Sequence, residues 1–362
     1  MKTAEGTRED SYDKCLLSPG GEPVVPPLDH IDLKHIHTFR GPEDTEAVYQ
    51  RKRNSKRAVV IGGGYIGVEV AEAYAEAGID VTILDMADRL LATYLDQDFT
   101  PVLESLGEKA GVHFVGGQKV TGFKGQDGEV SAVVTETDEF PCDTVILSMG
   151  VKPSCGWLHD VLDHDDKGFI KVNEHLETSA PDVWAGGDST TIPYAPTEER
   201  LPIGLATLAR RQGIVAALNA TGTPTKMPEM TGTSALSFCG LSFFTTGLKD
   251  TSADLYSGTV KSTYVEEPIY PEFMRKEGFV RMKIHFDEAS HRILGAQLMS
   301  EHDVSPAIAA LSMAIQSKWT LEDLALTDIF FQPRFDRPWH YLNVLAMAAL
   351  DYKIGGADQL LF

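Results

Sequence analysis

The run Gly62-Gly63-Gly64-Tyr65-Ile66-Gly67 matches GxGxxG and follows a short apolar segment, Arg57–Ile61. A helix rich in alanine and glutamate is predicted to run from it to about Ala77, where Gly78 ends it. A second strand, Asp80–Leu84, then finishes at Asp85. In such a unit Gly62 allows the tight turn, Gly64 lets backbone approach a pyrophosphate, and Gly67 lets helix pack on strand. Phosphates sit at the helix N-terminus, where unpaired N–H groups and the helix dipole favour negative charge. Asp85, 18 residues past Gly67, is placed to accept hydrogen bonds from the 2′- and 3′-hydroxyls of a ribose. A carboxylate there repels a 2′-phosphate, so the expected ligand is NADH rather than NADPH. A lone GxGxxG is weak evidence, but here strand, glycines, helix, second strand and acid fall in order. Glu69, early on the helix, reads equally well as a solvated or capping carboxylate and as a group beside the nicotinamide.

A second signal is TSAPDVWAGGDS, residues 178–189, in which a strand Val183–Ala185 runs into two glycines and Asp188. Alone it reads as a strand followed by a turn; after a nucleotide-binding unit it carries more weight. The four cysteines, Cys15, Cys142, Cys155 and Cys239, are far apart and include no CxxC pair, so neither a disulfide framework nor a four-thiolate zinc site is expected. Cys15 reads as a buried structural thiol in a strand, and Cys155, in a turn, is the one cysteine worth testing for reactivity. His30, His35 and His37 cluster in a proline-flanked stretch without accompanying cysteines, and no metal site is expected.

These groups need a scaffold, and 362 residues suffice for two or three domains. Hydrophobic residues make up 43% and charged residues 23%, an ordinary globular balance. The net charge of −21 and pI ≈ 4.9 argue against nucleic acid or an anionic membrane surface as partner. No apolar run is long enough to span a bilayer and no signal peptide follows Met1, so a cytoplasmic setting is expected. A short strand is predicted to stop at Ser18-Pro19-Gly20-Gly21, and a charged helix to lie within Glu43–Lys56. From there to Gly150 strands and helices alternate, which argues for a parallel α/β layer. Lys119–Val134, with its turn at 125–128, reads as an antiparallel ribbon, and residues 201–219 read as a helix. The stretch 221–233 is a Pro/Gly/Thr-rich linker, followed by strands at 280–286 and 293–299 and helices between Ser305 and Tyr352. That last region is expected to be α+β.

Together the markers YDKCLLSPGGEP (12–23), VVIGGGYIGVEVAEAYA (59–75), ILDMADRLLATYLDQDF (83–99), TSAPDVWAGGDS, LATLARRQG (205–213), RILGAQLMS (292–300) and FFQPRFDRPW (330–339) resemble the flavin-dependent pyridine nucleotide–disulfide oxidoreductases. The branch they resemble is that of NADH oxidase, NADH peroxidase and coenzyme A disulfide reductase, over almost the whole chain. The resemblance implies an α/β fold: a Rossmann-like NAD domain inserted in a partial FAD domain, then an α+β dimerisation domain. Its expected boundaries are 1–45 and 152–228 for the FAD domain, 46–151 for the NADH domain and 229–355 for dimerisation. For NADH it points to Gly62, Gly64, Tyr65, Ile66, Gly67, Glu69, Asp85, Tyr94 and Gly150. For FAD it points to Ser18, Pro19, Gly20, Gly21, Arg40, Asp188, Leu205, Ala206 and Thr207. A helix starting near Leu205 aims its positive end at the flavin edge where charge gathers on reduction, although ordinary helix packing accounts for Leu205 and Ala206 as well.

Members of the family begin with another strand–GxGxxG–helix unit and a redox-active cysteine, and neither motif occurs here. The expectation is therefore an N-terminally shortened member with no catalytic cysteine. It passes hydride from NADH to flavin and on to oxygen or peroxide, with impaired FAD retention and leakage to hydrogen peroxide. A non-catalytic, NADH-binding, dimer-forming homologue is the alternative, and a missing segment supplied by a separate chain is a third. A homodimer is expected in each case.

Overall fold

A computed structural model describes residues 2, 3, 6, 7 and 9–352, so the last three positions of the expected 229–355 domain lie outside the described residues. The chain forms two compact units: residues 1–22, 151–194 and 198–230 make one, and residues 23–150, 195–197 and 231–362 the other. Residues 23–150 of the second unit are an insertion in the chain of the first, whereas its residues from 231 onward follow it, and the linker at 221–233 contains the final crossing between Met230 and Thr231.

The second unit opens on a five-stranded sheet in which every pairing is parallel, ordered Ile36–Thr38, Thr144–Leu147, Arg57–Ile61, Asp80–Leu84, Val112–Val115. Its central strands are almost wholly buried, as continuous apolar runs such as AVVI and TVIL require of a sheet covered on both faces. Residues 36–38, expected with the 1–45 segment, form the edge of this sheet through Ile36–Val145 pairing. Helices Pro42–Lys52, Tyr65–Ala75 and Thr100–Ala110 connect or flank the strands. Val68, Ala71 and Tyr74 of the glycine helix pack with Val60, Val81 and Ile83. The ribbon pairs Val120–Gln126 with Glu129–Thr135, adding a third strand, Glu139–Pro141. Its turn has Asp127 and Gly128 at φ 54° and 81°, the left-handed pair that a two-residue hairpin favours.

In the same unit, an antiparallel sheet runs in the order Ser234–Phe238, Leu241–Gly247, Ile293–Ser300, Phe279–Asp287, Val260–Pro268. Helices Ser305–Gln316, Leu321–Ala325 and Tyr341–Ala349 accompany it, sharing a core of residues such as Ile284, Leu298, Leu311 and Leu345.

The first unit is held by a parallel pair, Cys15–Leu17 with Val183–Ala185, and by the helix Ala206–Ala220. Residues 201–205 are not helical, contrary to the expectation for 201–219. Leu201 pairs with Ile192 in a short ribbon, and Pro202 and Gly204 disfavour helix directly before the true start.

Candidate functional site

Strand Arg57–Ile61 delivers the chain to a turn that only glycine can make. Gly62 sits at φ +109°, its N–H donates to the Leu84 carbonyl at 2.8 Å, and a Cβ there would lie 2.4 Å from the Ser148 carbonyl oxygen. At Gly67 a Cβ would meet the Gly62 carbonyl oxygen at 1.9 Å, so the helix Tyr65–Ala75 can close on its strand only without one. Gly64 is the extended N-cap of that helix, with no side chain capping it. Its first-turn N–H groups are the orphan donors that bind phosphate in such units.

Asp85 lies half-buried at the end of the next strand. Its Oδ2 accepts from the Gly63 N–H at 2.6 Å and its Oδ1 from the Ala87 N–H at 2.9 Å. Each carboxylate oxygen retains acceptor capacity for a sugar hydroxyl. Tyr94 lies over the loop: its Cε2 is 3.3 Å from the Cβ position of Gly64, and its ring stacks on Tyr65 with centroids 4.0 Å apart and 21° between planes. The Tyr65 hydroxyl exchanges a 2.8 Å hydrogen bond with the Ser234 hydroxyl. Burial pushes both phenols above their ordinary range, so both are neutral donors at physiological pH. Ile66 is half-buried beside them. Glu69 is exposed on the helix; desolvation and the neighbouring Glu72 charge raise its pKa. Gly150, at φ +95°, has open space around its Cβ position, and its carbonyl accepts from the Val24 N–H at 3.0 Å. The strand–turn–helix geometry brings Gly62, Gly64, Tyr65, Gly67, Asp85 and Tyr94 together.

Two residues that sequence reasoning passed over complete this loop. The Ser148 hydroxyl donates to the carbonyls of Ile61 and Gly62 at 3.0 and 2.8 Å, closing the turn from the neighbouring strand. Leu91, in the left-handed region at φ 56°, donates its N–H to the Gly63 carbonyl at 2.9 Å and accepts from Tyr94 N–H at 2.8 Å. Neither carries a sequence signal, because serine and leucine are unremarkable at such spacings.

In the other unit, Gly187 sits at φ +84°, and a Cβ there would lie 3.3 Å from the Ser18 hydroxyl. Asp188 follows; its carboxylate carbon is 3.6 Å from the Cβ position of Gly204, just before the helix. That helix starts at Ala206 after extended Leu205, without a side-chain cap, and Ala206 and Thr207 are exposed. Gly20, at φ +71°, accepts from Ser154 N–H at 2.9 Å, with Pro19 half-buried ahead of it and Gly21 following. Gln212 is the residue sequence reasoning missed here. Its buried amide oxygen accepts from Gly187 N–H at 2.9 Å and from the Thr190 hydroxyl at 2.7 Å, fixing the glycine turn to the helix. A cradle of small residues, a carboxylate and an uncapped helix N-terminus fit the sugar-like chain and electron-rich edge of a flavin. Arg40 belongs to the other unit, where its backbone N–H donates to Asp44 Oδ2 at 3.0 Å.

Three of the four cysteines, Cys142, Cys155 and Cys239, sit where the thiolate is disfavoured. Cys155 is fully buried, and its thiol donates to the Gly168 carbonyl at 3.1 Å. Burial raises its pKa and pushes those of Cys142 and Cys239 up to about 12 and about 11. Thiols in that condition are not nucleophiles near neutral pH.

The family model described as "Pyridine nucleotide-disulphide oxidoreductase" matches residues 1–213, and the dimerisation domain of the same family matches residues 233–341. A NADH oxidase of Enterococcus faecalis is 40% identical over 346 residues, which span 95% of this chain and 78% of that protein. The structure of a water-forming NADH oxidase from Lactobacillus brevis, bound to NADH, matches with a TM-score of 0.91 at 36% identity, covering 94% of this chain and 76% of that one. A FAD-dependent pyridine nucleotide-disulphide oxidoreductase from Desulfovibrio vulgaris matches with a TM-score of 0.83 at 27% identity, covering 96% and 85%. Among the described residues, no helix is long and apolar enough to cross a membrane.

Proposed function

The chain belongs to the pyridine nucleotide-disulphide oxidoreductase family, and from that premise we propose that it is an FAD-dependent NADH oxidase that delivers electrons to oxygen or peroxide. The observation carrying this reading is the glycine turn at 62–67 with Asp85 hydrogen-bonded to its Gly63 amide and Tyr94 laid across it. NADH rests its diphosphate on the free N–H groups of the helix Tyr65–Ala75. Asp85 accepts from the adenosine ribose hydroxyls, and its charge excludes a 2′-phosphate. Tyr94 and Ile66 cover the adenosine half, and Gly150 leaves room for close approach near the nicotinamide.

Ser18, Pro19, Gly20, Gly21, Asp188, Leu205, Ala206 and Thr207 would hold FAD, with Asp188 on its ribityl hydroxyls and the helix N-terminus at Leu205–Thr207 toward its ring. When bound, FAD supplies the two-electron chemistry that links hydride removal from NADH to reduction of the oxidant. The positive end of the helix Ala206–Ala220 stabilises negative charge at that edge, and Gln212 holds the Gly187 turn in place for it. Burial holds the thiols of Cys142, Cys155 and Cys239 protonated, so none of these three relays electrons at neutral pH, and oxygen that takes both electrons directly leaves as hydrogen peroxide. Residues 233–341, matched by the dimerisation domain, join two copies in a homodimer.

The test is spectroscopic. Protein reconstituted with FAD should show a flavin absorbance band that NADH bleaches without oxygen, and should form about one hydrogen peroxide per NADH in air. A colourless protein that binds NADH yet shows no turnover with added FAD would leave a non-catalytic nucleotide-binding dimer instead.

A further inference from the structure

We propose that His285 is a positioning residue for the nucleotide site: clamped between Asp96 and Asp250, it fixes the turn that holds Tyr94 across the glycine loop. The inference rests on reading that loop as the NADH site. His285 lies in the strand Phe279–Asp287, far along the chain from the glycine loop, and its ring is fully buried. Its Nε2 is 3.0 Å from Asp250 Oδ1 and 3.1 Å from Asp96 Oδ2. A lone pair aimed at two carboxylates would be repelled, so this nitrogen carries a proton.

The partners tie His285 directly to the Tyr94 turn. Asp96, two residues past Tyr94, is itself fully buried. Its N–H donates to the Gln297 side-chain oxygen at 3.0 Å, and its Oδ1 accepts from Asp250 N–H at 3.0 Å. Lys283 bridges Asp98 and Asp250 at 2.6 Å each and lies 3.4 Å from Asp96. The 94–98 segment is therefore held to the antiparallel sheet at Asp96 and Asp98, while its other end carries the Tyr94 ring onto Tyr65 and Gly64.

Asp96 and Asp250 face His285 directly, and Lys249, Lys283 and Asp98 join the cluster through those two carboxylates; its sheet neighbours Ser262 and Gly295 do not titrate. Three carboxylates face two lysines, and a protonated imidazole brings that sum to zero. Burial alone would lower its pKa, but the hydrogen bond to Asp250 and the close charges of Asp250 and Asp96 hold it above the ordinary histidine range. Asp96, Asp250 and His285 also have ligand-like spacing for a divalent cation. Lys283 already occupies the interior of that arrangement as its cation, so an ion pair network fits the geometry better than a metal.

The sign follows from the raised pKa. The clamp is intact at low pH and weakens as pH rises through the folded pKa of His285, when Asp96 and Asp250 lose their neutralising partner. NADH affinity of the full chain, followed by fluorescence titration from about pH 6 to about pH 9, is expected to fall about fivefold across that transition. His285→Gln should show the weakened affinity at every pH and a flat profile. In a Tyr94→Ala background the same substitution should cost no further affinity, because the ring it positions is gone. Should His285→Gln fail to fold, Asp250→Asn, at a half-exposed position, removes the same attraction and should flatten the profile alike. Wild-type binding with no pH dependence, or equal losses from His285→Gln with and without Tyr94, overturns the proposal while leaving the NADH site standing. Absence of NADH binding to the wild type overturns that site and this role with it. Tighter NADH binding on adding zinc or magnesium chloride, lost in His285→Gln, would reveal a metal site and also overturn the clamp.

Discussion

Asp85 Oδ2 accepts the Gly63 N–H at 2.6 Å, so the carboxylate read as the ribose contact also ties down the glycine loop it serves. The two roles separate by substitution. Asp85→Ala is expected to weaken NADH binding, narrow the preference over NADPH, and lower stability by about 1–3 kcal/mol through the unpaired Gly63 donor. Asp85→Asn keeps an acceptor for Gly63 and drops the charge, so it should lose nucleotide selectivity with a smaller drop in melting temperature. Equal NADH and NADPH affinities in the wild type would remove the ribose role.

The three motif glycines should fail in two ways. A Cβ at Gly67 meets backbone at 1.9 Å and one at Gly62 meets backbone at 2.4 Å, where nothing flexible can yield. Gly67→Ala should therefore destabilise the second unit by about 1–3 kcal/mol or more, visible in thermal melts even without ligand. At Gly64 the Cβ meets only the Tyr94 ring edge, at 3.3 Å. Gly64→Ala should keep its melting temperature and lose NADH affinity, a split that a purely structural loop would not produce.

Gln212 offers a test of the other unit. Gln212→Leu fills similar space and leaves the Gly187 N–H without its buried acceptor, while the Thr190 hydroxyl keeps the Gly187 carbonyl at 3.1 Å. The expected cost is about 1–3 kcal/mol of stability, with weaker FAD retention on gel filtration as the second readout. Retention unchanged alongside lost stability would detach Gln212 from the cofactor.

How much of this was legible in the sequence follows from what each contact depends on. The nucleotide unit was readable because glycines at fixed offsets, a following helix and a terminal Asp85 are local. Ser148 and Leu91 were not, since their roles arise from a strand and a turn brought alongside by the sheet. The segment 201–205 reads as helix because it leads straight into Ala206–Ala220, yet Pro202 and Gly204 keep it out of that helix. Asp96, Asp250 and His285 lie so far apart in the chain that only the packing of the antiparallel sheet shows them as neighbours.

The exposed aromatic residues of the 233–341 segment point to assembly. Phe330, Phe331 and Phe335 are 65%, 47% and 66% exposed in the single chain, and Phe330 and Phe335 meet edge to face at 6.4 Å. Apolar area of that extent fits burial in an interface. Phe335→Ala combined with Trp339→Ala should shift sedimentation from dimer toward monomer, and an unaltered dimer would place the interface elsewhere.

The cysteines supply the last test, because they decide how electrons leave. Cys142 and Cys155 are buried, and Cys239, beside Glu72 and Glu76, has its thiol pushed up to about 11 by desolvation and those charges. Against an ordinary thiol near pKa 8.5, that lowers the thiolate population at neutral pH by more than about 100-fold. Aromatic disulfide reagents should label Cys142 and Cys155 in the native protein only as fast as it opens, half-buried Cys239 slowly for want of thiolate, and all three in full after denaturation. Cys155→Ser should then leave NADH turnover and hydrogen peroxide yield unchanged. Loss of a peroxide-consuming burst in that variant would instead assign sulfur a place in the reaction that burial of Cys155 and its bond to the Gly168 carbonyl argue against.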